Sequence, residues 1–261
     1  MLPFLRRFFR EYALSALFVA VVLVIWEVAH HALDVADYIL PAPSAIFGRI
    51  SGNVPLLLRH ALVTLREVAG GFLLGASAGV ALAVVMAWSR TVERMLYPLI
   101  VSSQTFPKEA LAPLFVVWFG VGLAPKIVIA GLISFFPVVV NTTRGLLSVD
   151  PLALDLMRSL SASRGQVFVK LRFPNALPYL FAALKMCITL SVIGAVVGEF
   201  VGSSAGLGHL VRLANTEMAT DLIFAALITL GTMGTILFVI VEAVEKVVLR
   251  RWGMTVEVRE R

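Results

Sequence analysis

Residues 68–89, VAGGFLLGASAGVALAVVMAWS, run from Val68 to Ser89 without a charged side chain. As a helix this stretch covers about 33 Å, enough for a bilayer core of about 30 Å. The chemistry around it is similar: of 261 residues, 59% are hydrophobic and 15% charged, and the mean hydropathy is +0.94. Soluble domains are about half apolar and about a quarter charged, so the composition argues against a water-soluble globule. The chain carries 22 Lys+Arg against 16 Asp+Glu. In so apolar a sequence that excess marks cytoplasmic loops, and no nucleic-acid partner is expected. The lone cysteine, Cys187, excludes an intrachain disulfide and reads as a small packed residue.

Working outward, further spans emerge. Tyr12 to Trp26 follows Arg6, Arg7 and Arg10, and the hydrophobic runs after it favour an uncleaved first membrane helix over a signal peptide. Glu27, His30, His31, Asp34 and Asp37 end that run, and Leu40-Pro41-Ala42-Pro43-Ser44 reads as an extended or turning external connection. Met95 to Pro125 is apolar but broken by Pro98, Pro107, Pro113 and the pair Lys108-Glu109, which predicts an interrupted helix buried within protein. Ile127–Thr143, Ala176–Phe200 and Leu222–Val241 complete six predicted spans. Lys185 lies within snorkelling distance of the cytoplasmic end. An all-α integral membrane protein is the fold this predicts.

Basic residues at the span ends set the orientation. Arg90, Arg94, Arg158, Arg164, Lys170, Arg172, Arg250 and Arg251, with the N-terminal arginines and Arg259 and Arg261, fall on one side. Only Arg49, Arg59, Lys126 and Arg212 fall on the other. Both termini are therefore expected in the cytoplasm of a multi-pass protein. Glycines four apart at Gly71, Gly75 and Gly79, and at Gly194 and Gly198, allow close helix approach.

The longest polar insertion, Leu147 to Pro174, falls on the cytoplasmic side. Asp155 to Leu160 reads as a short helix, Ser161 to Gly165 as a break and Gln166 to Leu171 as a second helix, which Pro174 and Pro178 end. Apolar residues at helical spacing, among them Leu152, Leu156, Leu160 and Phe168, suit either an interfacial helix or one that docks into a partner's groove.

This insertion resembles the EAA loop of permease subunits of ABC importers, Glu-Ala-Ala-x3-Gly-x9-Ile-x-Leu-Pro. Asp155 stands for the Glu, Leu156 and Met157 for the alanines and Ser161 for the Gly, and Pro174 keeps the register of the terminal proline. Further segments are similar to the subgroup that imports nitrate, sulfonates, taurine and thiamine-precursor pyrimidines. They include Leu40-Pro41-Ala42-Pro43-Ser44, the stretch Ala112 to Gly122, Asn175-Ala176-Leu177-Pro178-Tyr179, Gly198-Glu199-Phe200 and Gly206-Leu207-Gly208-His209-Leu210. The resemblance implies a six-span type I importer transmembrane domain at residues 54–250, with a coupling loop at 150–174. Residues 1–53 then hold the N-terminal tail, the first helix and the external segment, and 251–261 a cytoplasmic tail.

It also implies partners: a second copy of the chain, two cytoplasmic ATPase subunits that bind ATP and Mg, and an extracytoplasmic solute-binding protein, all at the bacterial inner membrane. The coupling role falls by the same resemblance to Asp155, Ser161, Ala162, Ser163, Arg164, Phe168, Leu171 and Pro174. No Gly-x4-Gly-Lys-Ser/Thr loop occurs here, so no cofactor is expected in this chain and it is not expected to be an enzyme. His30, His31, His60 and His209 lack metal-site spacing.

Pathway or gate candidates are Ser103, Gln104, Lys108 and Glu109 on the broken segment, Asn141 on the fourth span and Glu199 on the fifth. Lys108 or Lys185 would attract an anionic solute. A sulfonate, nitrate or similar small organic anion is the first expectation, and a thiamine-precursor pyrimidine the alternative. An ion-coupled secondary transporter would need a relay of buried charges or internal pseudo-symmetry, and a membrane enzyme a catalytic constellation.

Overall fold

Backbone can cross lipid only with its hydrogen bonds closed internally, and the apolar runs of this chain do so as helices. The computed structural model describes residues 2–253, with side chains from residue 13 onward. The side chains of Arg6, Arg7 and Arg10, and the tail residues Arg259 and Arg261, lie outside the described residues. In chain order the helices are α1 (Leu2–Ala32), α2 (Pro43–Gly52), α3 (Val54–Trp88), α4 (Arg90–Ser103), α5 (Ala112–Phe119) and α6 (Leu123–Leu147). They continue with α7 (Pro151–Ser159), α8 (Arg164–Val167), α9 (Phe173–Gly202), α10 (Leu207–Thr216) and α11 (Thr220–Arg251). Among the described residues, α1, α3, α6, α9 and α11 are long and apolar enough to cross a membrane.

Glycine contacts give the topology. Gly71, Gly75 and Gly79 of α3 face Ala130, Ser134 and Val138 of α6, so these two helices run parallel. The chain between them must return across the membrane, and α4, a one-turn 3-10 helix at Lys108–Leu111, and α5 make that crossing. Gly194 and Gly198 of α9 lie against Ala130 and Lys126, so α9 runs antiparallel to α6. Helix α11 returns antiparallel to α9, with Lys185 paired to Glu245 at 2.7 Å. Helix α1 meets the start of α11 through Trp26 and Phe224, whose ring centroids are 5.6 Å apart. Six crossings result, and both ends of the described chain lie at one end of the bundle.

The linker between α1 and α2 is held in part by a carboxylate. Glu27 accepts from Ser44 N at 2.9 Å and Ser44 Oγ at 2.6 Å, which pins the first turn of α2 to α1. Ala42 ahead of it is extended, with ψ 144°, as its place before a proline requires.

Three expectations need correction. The third crossing is interrupted as predicted but is not buried within the chain: Gln104 to Pro107 and Val117 to Val121 are exposed. Neither Pro174 nor Pro178 ends a helix, and Pro178 lies inside α9. A π-helical turn at Phe168–Arg172 joins α8 to α9, and its wider register, with Phe173 N donating to Phe168 O, accommodates Pro174 in the first turn of α9. Lys185 does not simply snorkel, because Glu245 holds it.

The tightest packing yields a prediction. A Cβ on Gly75 would stand 2.7 Å from the Gly131 carbonyl oxygen, whereas one on Gly231 of α11 meets nothing within 4 Å. Gly75→Val is expected to cost about 1–3 kcal/mol or more by overpacking and to lower the melting temperature and folded yield in detergent. Gly231→Ala is expected to leave both unchanged.

Candidate functional site

At the end of the bundle where α3 and α6 finish, the polar insertion forms a two-helix loop. Asp150 caps α7 through Leu152 N at 2.9 Å. The helix ends in a Schellman turn: Ala162 N donates to Met157 O and Ser161 N to Arg158 O, both at 2.9 Å. Ser161 takes φ +56°, the left-handed conformation that the glycine of the resembled pattern implies. Ser163 then starts α8 with a capping box, its Oγ accepting from Gln166 N while Gln166 Oε1 accepts from Ser163 N at 2.7 Å.

This loop is fastened to the bundle. Arg172 Nη1 donates to Ala87 O at 2.7 Å, satisfying a carbonyl at the C-terminus of α3. Asn175 Nδ2 reaches Gly145 O at 2.9 Å near the end of α6. Phe168 packs against Trp88, with ring centroids 5.4 Å apart, so it anchors the loop inward. Leu171 and Pro174 are half-buried beside it. Outward, Leu152, Leu156 and Leu160 form an exposed apolar row along α7. Asp155 is paired with Arg158 at 2.9 Å, both exposed; Arg164 is exposed, and Ala162 is half-buried.

The interrupted crossing lies halfway along the membrane. Lys108 Nζ sits 4.5 Å from the centre of the Phe136 ring, near the midpoint of α6. Ser103 Oγ closes on Ile100 O at 2.7 Å, and Asn141 Nδ2 on Pro137 O at 2.8 Å. Gln104 and Glu109 are exposed. Irregular backbone at this depth is tolerated only against protein or a watery passage. Ser103, Gln104, Lys108 and Glu109 thus come together on one open flank, with Asn141 further along α6.

The opposite end holds a polar cluster. Glu199, fully buried, accepts from Thr64 Oγ1 at 2.6 Å and from the backbone N–H groups of Gly208 and His209, so it caps α10 and folds the α9–α10 loop back onto the bundle. Its role in the structure is this cap rather than a place on the open flank. Next to it, Glu67 accepts from Lys126 Nζ at 2.7 Å, and Lys126 also donates to Ser203 Oγ at 2.6 Å. Lys126 was expected outside as a loop cation, and the structure buries it. Glu67 is not among the sequence candidates: it lies one residue before the charge-free stretch, though within α3.

Two predictions follow from these geometries. Lys126→Met leaves Glu67 buried without its cation and is expected to cost about 3–5 kcal/mol, while Lys126→Met with Glu67→Leu recovers most of that in thermal melts. Ser161→Gly removes about 1 kcal/mol of left-handed strain, so its melting temperature is expected to hold or rise.

Comparisons with known proteins agree with this architecture. The chain matches the family described as "binding-protein-dependent transport system inner membrane component" over residues 71–253. It is 40% identical over 222 residues to a probable ABC transporter permease protein of Haemophilus influenzae, covering 85% of this chain and 91% of the relative. It is 36% identical over 234 residues to the formylaminopyrimidine transport permease protein ThiX of Halalkalibacterium halodurans, covering 89% and 93%. Among solved structures, the fold resembles a chain of the MetNI methionine ABC transporter in an inward-facing conformation, with TM-score 0.63 and 19% identity over 77% of this chain and 97% of that one. With most of its length matched, the chain belongs to the family of inner-membrane permease components of binding-protein-dependent ABC importers.

Proposed function

We propose that two copies of this chain form the translocation pathway of an ATP-driven importer, and that the Asp150–Pro174 loop docks on separate ATPase subunits that bind ATP and Mg. The observation that carries this reading is the exposed row Leu152, Leu156 and Leu160 on a short helix fastened to three membrane helices at one end of the bundle. An apolar stripe of that kind fits a groove on a partner. The basic bias of that end supports a cytoplasmic position for it and for both termini.

Coupling follows from continuity. Arg164 to Gly202 is one unbroken helical path through the π turn, so a push on α7 and α8 is transmitted along α9 to the loop that Glu199 caps. ATP binding favours one global state through its ATPase, and the loop transfers that bias to the membrane helices. Ser161, Ser163 and Phe168 position the loop, while Leu156, Ala162 and Arg164 stand closest to a docking partner. The open flank at Ser103 to Glu109 faces the second copy and lines the passage between them, which resolves the exposure of irregular backbone at mid-membrane.

For the solute, a small organic anion is favoured by Lys108, whose ammonium faces the aromatic ring of Phe136 and has no carboxylate within 4 Å among the described residues. A second reading, a pyrimidine, is favoured by the 36% identity to a permease named for formylaminopyrimidine. An extracytoplasmic binding protein delivers the solute in either case, and its bound ligand distinguishes the two.

Leu156→Asp places a charge in the apolar row without touching a span. A tagged chain carrying it is expected to insert normally and to lose at least tenfold of the ATPase recovered with the unsubstituted chain, as read by quantitative mass spectrometry after mild solubilisation. Undiminished recovery of the ATPase would remove the docking assignment.

A further inference from the structure

Beneath the loop lies a cavity of about 770 Å³, lined in part by Ala162 and Arg164 and not by the row Leu152, Leu156 and Leu160. Its lining combines apolar side chains, Trp88, Leu147, Val167 and Phe168, with four arginines, Arg90, Arg158, Arg164 and Arg172, against a single acid, Glu93. Arg158 is occupied by Asp155 and Arg172 by the Ala87 carbonyl, yet Arg90 and Arg164 are exposed and have no carboxylate within 4 Å among the described residues. The cavity opens where α3 and α6 end, the depth at which a spanning helix leaves the hydrocarbon. Trp88, 53% exposed, stands there as an aromatic residue at the interface.

We propose that this cavity binds an anionic phospholipid of the leaflet on the loop side, its phosphate held by Arg90 and Arg164 and its glycerol and upper acyl carbons lying against Trp88 and Phe168. Charge complementarity and a lining that is both cationic and apolar select this occupant. A free phosphate would leave the apolar side chains wet, and a zwitterionic headgroup brings its own ammonium against the arginines. Basic pockets between membrane helices at this level recognise anionic headgroups. Because Phe168 and Arg172 belong both to the cavity and to the turn that joins the loop to α9, a bound lipid would brace the coupling path. The inference needs neither the solute nor the ATPase.

The test uses the full chain, purified with the subunits that accompany it, stripped of lipid and offered phosphatidylglycerol or phosphatidylcholine of matched acyl chains. Native mass spectrometry is expected to show preferential retention of phosphatidylglycerol. Arg90→Gln, at an exposed position, is expected to cut that retention about fivefold, the factor one surface cation contributes, and Arg90→Lys to restore most of it. Equal retention of the two lipids, or unchanged retention in Arg90→Gln, would overturn the proposal. So would displacement of the lipid by millimolar inorganic phosphate, which would make a free anion the ligand. Loss of an ATPase from Arg90→Gln with lipid retention intact would assign the arginines to a protein partner instead.

Discussion

Lipid tails are as apolar as leucine, so helices inside a bilayer associate through close packing and polar contacts rather than through the exclusion of water. In this chain that requirement is met by glycines: Gly71, Gly75 and Gly79 on α3 and Gly194 and Gly198 on α9 bring both helices onto the same stretch of α6, from Lys126 to Val138. The approach is close enough that α3 and α6 lie parallel, and the parallel pair in turn forces the intervening segment back across the membrane. The interrupted third crossing, its Lys108-Glu109 pair and the open flank it presents are consequences of that geometry.

The same three helices carry polar fittings at each end. Toward the loop, Arg172 holds α3 and Asn175 holds α6, so the π turn and the start of α9 are tied to both neighbours. At the far end, Lys126 joins α6 to Glu67 of α3, and Glu199 of α9 caps α10 beside it. A buried ion pair adds little net stability but is costly to break. Its value here is geometric, since it fixes where the α9–α10 loop sits relative to the α3–α6 pair. A permease that alternates between two states needs bodies that move whole, and α9, fastened at both ends, is built as one.

Much of this was legible in the sequence. The charge-free run from Val68 to Ser89 and its four-residue glycine spacing gave a spanning helix with a close-packing face. The register from Asp155 to Pro174 placed the break at Ser161, and the structure puts a left-handed turn there. Other features were hidden for physical reasons. Pro174 reads as a stop because a proline usually cannot continue an α-helix, and here a π turn ahead of it lets the helix run through. Lys126 reads as a loop cation because its carboxylate partner is 59 residues away on another helix. Glu199, a pathway or gate candidate, also caps α10, through backbone N–H groups that carry no sequence signal.

The docking role of the loop is tested most directly by placing a photo-activatable residue at position 156 and cross-linking in the native membrane. A docked loop is expected to give a single major protein adduct, an ABC ATPase, formed through the row that Leu152, Leu156 and Leu160 present. Adducts with lipid alone, and none with an ATPase, would show that this row lies on the membrane surface and would contradict the coupling assignment.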